Sequence, residues 1–250
     1  MLFNQSLILS QPLEQFEIIF LGHFGSFPIN NGLIYLIFVY FIIRFFFGMV
    51  FLNMRLIPYN LQIFVEGVYN FVFSLVKQQI NTAGYAYLPI IFSLFLFILV
   101  ANLVGMSLYS FTLTSHITVA FTLSFSFFIA VVIIGILIQK KSFVNTFMPP
   151  AGAPKALTPF LIVIEIISYL SRPFSLGIRL FANLMSGHTL LAILANFAFS
   201  IANKNLLIGL LPFVLIVAIV GLEAMIAILQ AYVFTILVCI YINDSIKGSH

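Results

Sequence analysis

The sequence predicts an all-α membrane protein. It has about five membrane-traversing helices, one interfacial amphipathic helix, and a last pair of spans that form a long, strongly tilted antiparallel hairpin. Three observations predict this class. First, 63% of the residues are hydrophobic and only 6% are charged; a soluble domain carries about 25% charged residues, so this chain cannot clothe a water-facing surface. Second, apolar runs recur at the ~20-residue length that a spanning helix needs. Third, the last apolar tract runs from about 157 to 243, too long for one span, and Asn203-Lys204-Asn205 marks its turn.

Residues 1–32 are mixed, and Pro12, Gly22, Gly25, Pro28 and Asn30-Asn31 break any long helix. Spans follow at about 33–53, 87–108 and 115–139. Between the first two, residues 58–82 place Glu66, Lys77, Gln78 and Gln79 among Phe64, Val68, Phe71, Val72 and Leu75. That mixture reads as an amphipathic helix lying along the membrane interface. The segment 140–156 holds Lys140, Lys141, Pro149-Pro150, Gly152 and Pro154 and reads as an exposed connection. The final tract folds about Lys204 into helices near 157–200 and 206–243. Each is about 40 residues, roughly 60 Å at ~1.5 Å per residue, against a hydrocarbon core of about 30 Å. Such helices must tilt, bend or break, and Pro173 and Pro212 are the bend points on offer. The whole chain, 1–250, reads as a single membrane domain: an N-terminal segment (1–32), peripheral spans with the amphipathic helix (33–156), and the hairpin (157–243).

Five traverses put the termini on opposite sides. The side of the C-terminus collects Arg55, Lys77, Lys140, Lys141, Lys155 and Lys247, and the other side only Lys204. The positive-inside rule therefore places the C-terminus in the matrix or cytoplasm. The first basic residue is Arg44, so a secretory signal with its positive n-region is not expected; Glu14 and Glu17 argue against a transit peptide. The scattered basic residues form no stripe interleaved with aromatics, which excludes a nucleic-acid surface. The single cysteine, Cys239, sits in an apolar run and reads as a small buried hydrophobe.

Charge inside a bilayer costs at least ~2.5–3.5 kcal/mol per residue and marks function. On the first hairpin helix Glu165, Arg172 and Arg179 are spaced seven apart and share one stripe, with Ser168, Ser175, Asn183 and Ser186 on or beside it. His188, nine residues past Arg179, faces about half a turn away. The second helix carries Glu223 and Gln230, again seven apart, and ends near Asp244. Its Ala218, Gly221, Ala224, Ala227 and Ala231 suit close helix approach, or simply generic packing. Folding the hairpin about residue 204 at constant register pairs Arg179 with Gln230 and Glu165 with Asp244. His188 meets Glu223 within two residues of the same register. Two titratable clusters are then separated by one permanent cation, which stays protonated and suits a barrier rather than a carrier. Arg179 has no acid of its own chain at its depth, and a buried arginine needs compensation, so a carboxylate from another subunit is expected.

The run from Ser171 through Arg172, Pro173 and Arg179 to Asn183 and His188 resembles the signature of the F-type ATP synthase subunit a family. So do Gly221-Leu222-Glu223, Leu229 to Phe234, Pro12 to Ile18, and Ala101-Asn102-Leu103-Val104-Gly105-Met106. The resemblance covers nearly the whole chain. It implies that Arg179 faces a rotating ring of c subunits and attracts each ring carboxylate. Protons would arrive by His188, Glu223, Asn183 and Asn102 and leave past Glu165 and Asp244, with Arg179 and Gln230 between the two clusters. It also implies a non-catalytic subunit without cofactor or metal, partnered by the c-ring, the peripheral stalk and other membrane subunits. No Gly-x-x-x-x-Gly-Lys loop occurs. The order of His188 and Glu223 resembles the mitochondrial and alphaproteobacterial arrangement. That points to the mitochondrial inner membrane with the N-terminus in the intermembrane space, the alternative being an alphaproteobacterial plasma membrane.

Arg172 divides evenly between structural anchoring and tuning of the release path. Arg44 reads as a snorkelling residue, and His23 and His116 as solvated. Two other classes compete. A stand-alone transporter predicts internal repeats and charges paired within the chain; a structural scaffold predicts tolerance of Arg179→Ala.

Overall fold

The computed structural model describes residues 18–24, 27–52, 57–106, 113–140, 158–202 and 206–247. Among these residues there are six α-helices: α1 (Asn31–Leu52), α2 (Asn60–Ile80), α3 (Leu88–Gly105), α4 (Ile117–Gln139), α5 (Thr158–Ala202) and α6 (Leu206–Lys247). Short 3-10 segments at Asn81–Tyr87 and Leu113–Ser115 precede α3 and α4. Among the described residues five helices are long and apolar enough to cross a membrane, and α2 is not one of them. Its polar residues explain this: Val72, Leu75, Val76 and Ile80 are buried on one side, while Glu66 and Lys77 are exposed.

The hairpin helices are as long as the sequence requires, at 45 and 42 residues. α5 ends at Ala202 and α6 begins at Leu206; the turn expected at Asn203-Lys204-Asn205, the connection expected over 140–156 beyond Lys140, Arg55 and the segment Pro12 to Glu17 lie outside the described residues. Pro173 and Pro212 both sit inside continuous helices. The missing N–H of Pro173 removes one intrahelical bond. Nearby, the Ser124 hydroxyl on α4 donates to the Pro173 carbonyl at 2.9 Å.

One element was not expected. Strands β1 (Phe20–Phe24) and β2 (Phe27–Asn30) pair antiparallel ahead of α1, with Phe24 opposite Phe27. The side chain of His23 lies outside the described residues.

The chain divides into two compact units, each drawn from three segments. The first comprises Met1–Phe45, Phe97–His116 and Leu180–Gln230. Its buried residues include Val39, Ile98, Ala101, Leu180, Leu184 and Ala227, with Asn102, Glu223 and Gln230 among them. The second comprises Phe46–Leu96, Ile117–Arg179 and Ala231–His250. Its core holds Val72, Val76, Ile91, Phe95, Phe234 and Val238. Edge-on ring contacts such as Phe127 with Phe234 and Phe121 with Phe174 add to that packing. Large apolar side chains such as Phe38, Phe41 and Phe45 on α1 point outward, as lipid-facing residues do in a chain that spans a bilayer.

Candidate proton-path site

In the first unit α5 and α6 bring two polar pairs together. His188 Nε2 lies 3.5 Å from Glu223 Oε1, with both side chains nearly enclosed (10% and 5% exposed). That separation is at the long end of direct hydrogen bonding. Glu223 reaches this place because position 187 is glycine. A Cβ there would stand 2.7 Å from Glu223 Oε1 and 3.1 Å from its Cδ, so the carboxylate rests against the bare backbone of α5. One heptad along α6, the Gln230 Oε1 accepts a hydrogen bond from Asn183 Nδ2 at 3.0 Å. The sequence register assigned Gln230 to Arg179; the hydrogen bond comes instead from Asn183, four residues on along the same face of α5. Asn102, fully buried on α3, donates from Nδ2 to the Ala227 carbonyl at 3.3 Å and accepts from the Thr114 hydroxyl at 3.0 Å.

In the second unit Asp244 does not meet Glu165. Its Oδ2 pairs with Arg172 Nη1 at 3.3 Å, one heptad along the stripe from the expected partner. The reason is charge: the acid takes the opposite charge on that face. The Arg172 guanidinium is held between two rings, 5.1 Å from the centre of Tyr169 and 5.0 Å from that of Tyr241. Gln139 at the end of α4 donates to the Ser245 carbonyl at 2.7 Å beside this cluster. Glu165 is exposed, without a hydrogen bond or ion pair among the described residues. Arg179 is half-buried, and it too has neither a hydrogen bond nor an ion pair among the described residues. No group of three or more metal-ligating side chains occurs among the described residues.

The family model described as ATP synthase A chain matches residues 33–243. The chain belongs to the ATP synthase A chain family. Among its relatives, the ATP synthase subunit a of Acanthamoeba castellanii is 46% identical over 246 residues, which is 96% of this chain and 98% of that protein. The subunit a of Chondrus crispus is 44% identical over 244 residues, covering 95% and 96%.

In this member of the A chain family the whole run Ser171 to His188 lies within α5. Several residues around the site escaped the sequence reading. Tyr169 and Tyr241 each precede a charged residue, Arg172 and Asp244, by three positions, the spacing that puts two side chains on one helix face. Gly187 borders His188 and was read only as part of the signature. Thr114 lay beyond any span and carried no signal. His116, expected in solvent, is half-buried one residue ahead of α4, and burial pushes its imidazole below the usual value.

Proposed function

We propose that this chain is the stationary proton-path subunit of a rotary F-type ATP synthase in the mitochondrial inner membrane. It makes no ATP itself and works as one membrane domain against a ring of c subunits, alongside the peripheral stalk and other membrane subunits. The N-terminus faces the intermembrane space and the C-terminus the matrix. The family membership supports the membrane-sector role, and the two eukaryotic relatives favour the mitochondrial setting.

One observation carries the mechanism: a guanidinium on an apolar membrane helix with no carboxylate partner among the described residues. An arginine stays protonated at any physiological pH, and such a charge away from water needs an anion. A ring carboxylate brought past Arg179 by rotation meets that need and is favoured in its ionised form. On the intermembrane side His188 and Glu223 pass protons inward, with Asn183 beside them. An imidazole titrates near neutral pH and so can both accept and release. Asn102 shapes this uptake half-channel. On the matrix side Glu165 and Asp244 receive protons leaving the ring. Gln230, held by Asn183, keeps a neutral polar surface on the path. The arginine bars direct passage between the two half-channels, so protons cross only by riding the ring.

The test is ATP-driven proton pumping in vesicles carrying Arg179→Ala, with Lys77→Ala on exposed α2 as control. Loss of pumping in an assembled complex, with the control unaffected, is the expected result. Pumping at the normal rate would mean that the chain is a scaffold or a different transporter.

A further inference from the structure

Asn102, Thr114 and Ala227 are each 0% exposed. They belong to three different elements: α3, the 3-10 turn Leu113–Ser115, and α6. Thr114 donates its hydroxyl proton to Asn102 Oδ1 at 3.0 Å, and Asn102 Nδ2 donates to the Ala227 carbonyl at 3.3 Å. The direction of this chain is fixed by chemistry. A backbone carbonyl only accepts, so the amide nitrogen must face Ala227, and the amide oxygen is left for the hydroxyl. A carboxamide carries no exchangeable charge near neutral pH, and both ends of this one are occupied by fixed partners.

Ala227 is one helical turn beyond Glu223 on the same buried face of α6. In an α-helix the N–H of Ala227 is the donor to the carbonyl of Glu223. The turn braced by Asn102 is therefore the turn that carries the Glu223 side chain. That carboxylate is seated tightly, 3.5 Å from His188 Nε2 and against Gly187. A small rotation or slide of α6 at this turn would change the separation of the pair.

We infer that Thr114 and Asn102 are positioning residues: they lock the Ala227 turn and so set the geometry of the His188–Glu223 pair, rather than carrying protons themselves. This rests on the proposed role of that pair in proton uptake and assigns Thr114 a part in it. Thr114 holds the amide in the one orientation that lets it grip α6. Without the hydroxyl the amide oxygen is left buried and unpaired, which favours rotation of the whole carboxamide away from Ala227.

The experiment uses the complete ATP synthase in vesicles, with Thr114→Val, Thr114→Ser and Glu223→Gln. Valine removes the donor at nearly constant shape, and serine keeps it. Assembly, ATP-driven proton pumping, and the dependence of ATP synthesis on uptake-side pH are measured. Thr114→Val is expected to assemble, to pump about three- to tenfold more slowly, and to shift the pH profile, while Thr114→Ser restores both. The double variant Asn102→Ser/Thr114→Val should be no worse than Asn102→Ser alone, because the two act as one unit. Should Thr114→Val fail to assemble, Asn102→Ser supplies the same comparison. An unchanged pH profile in both variants overturns the inference, as does pumping that falls only in proportion to lost assembly. If Glu223→Gln is impaired in that outcome, only the positioning role fails. If Glu223→Gln pumps normally, the uptake role of the pair fails with it.

Discussion

Glu223 occupies the space that a side chain at position 187 would need. Oε1 stands 2.7 Å from where a Cβ on Gly187 would be. The contact is with the far end of a flexible side chain, so Gly187→Ala does not block the helices from packing; it pushes the carboxylate aside. Alanine also suits a helix better than glycine, by roughly 0.5–1 kcal/mol. The expected outcome is a complex that assembles normally yet pumps about tenfold or more slowly, since an ångström of misplacement at a reacting group is costly. Proton pumping normalised to the amount of assembled complex checks this. Undiminished pumping would show that the seat of the carboxylate does not matter.

Arg172 holds Asp244 with its charge and Tyr169 and Tyr241 with its flat guanidinium. Lysine keeps the charge but loses the planar stacking. The pair is partly open, at 26% and 40% side-chain exposure, so solvent screening limits its worth to about 1 kcal/mol or less. Each ring contact adds about 0.5–1 kcal/mol. Thermal unfolding of the purified membrane sector should therefore rank wild type above Arg172→Lys and Arg172→Lys above Arg172→Ala, spread over about 2 kcal/mol. Equal stability of the lysine variant and wild type would assign the whole effect to charge.

The spans, the amphipathic α2 and the limits of the hairpin were legible because apolar length and interleaved charge survive any detail of packing. The polar face of α5 was legible too, from the seven-residue repeat of Glu165, Arg172 and Arg179. Pairing between α5 and α6 was legible only at His188 and Glu223. Counting residues assigns partners by Cα position, whereas helix side chains lean toward their own N-terminus. In an antiparallel pair they lean toward each other lengthwise. The long Arg172 thereby reaches an acid seven residues out of the counted register, and the shorter Asn183 reaches Gln230 four residues out. Thr114 was invisible because its partner, Asn102, is distant from Ala227 in sequence and nothing local links the three.

Asn183 and Gln230 form a neutral pair in which Asn183 satisfies the buried Gln230 oxygen. Gln230 is 4% exposed, and its Nε2 has no partner among the described residues. Asn183→Leu would strip the oxygen of its donor as well, at a cost of about 1–3 kcal/mol. Replacing both residues removes the polar groups together and is far less harmful to stability. A double-mutant cycle with Gln230→Leu, read by thermal unfolding, should give a coupling of about 1 kcal/mol or more. Simple additivity would mean that the hydrogen bond contributes nothing to the fold.

Glu165 and Asp244 were read alike from the sequence, but their surroundings predict different consequences when each loses its charge. Asp244 neutralises Arg172, so Asp244→Asn leaves a half-buried guanidinium without its anion, which should lower stability as well as proton release. Glu165 is exposed and makes no ion pair among the described residues, so Glu165→Gln should leave thermal stability within about 0.5 kcal/mol of wild type. Any effect it has must then fall on transport. Measuring unfolding and proton-driven ATP synthesis on the same preparations separates the two. Slower synthesis at unchanged stability in Glu165→Gln supports a carboxylate that handles protons leaving the ring. Wild-type synthesis in Glu165→Gln would confine the release path to Asp244. Partial recovery of stability in the Arg172→Gln/Asp244→Asn double variant, which still lacks the ring contacts of Arg172, without recovery of synthesis would separate the anchoring function of Asp244 from its proposed function in proton release.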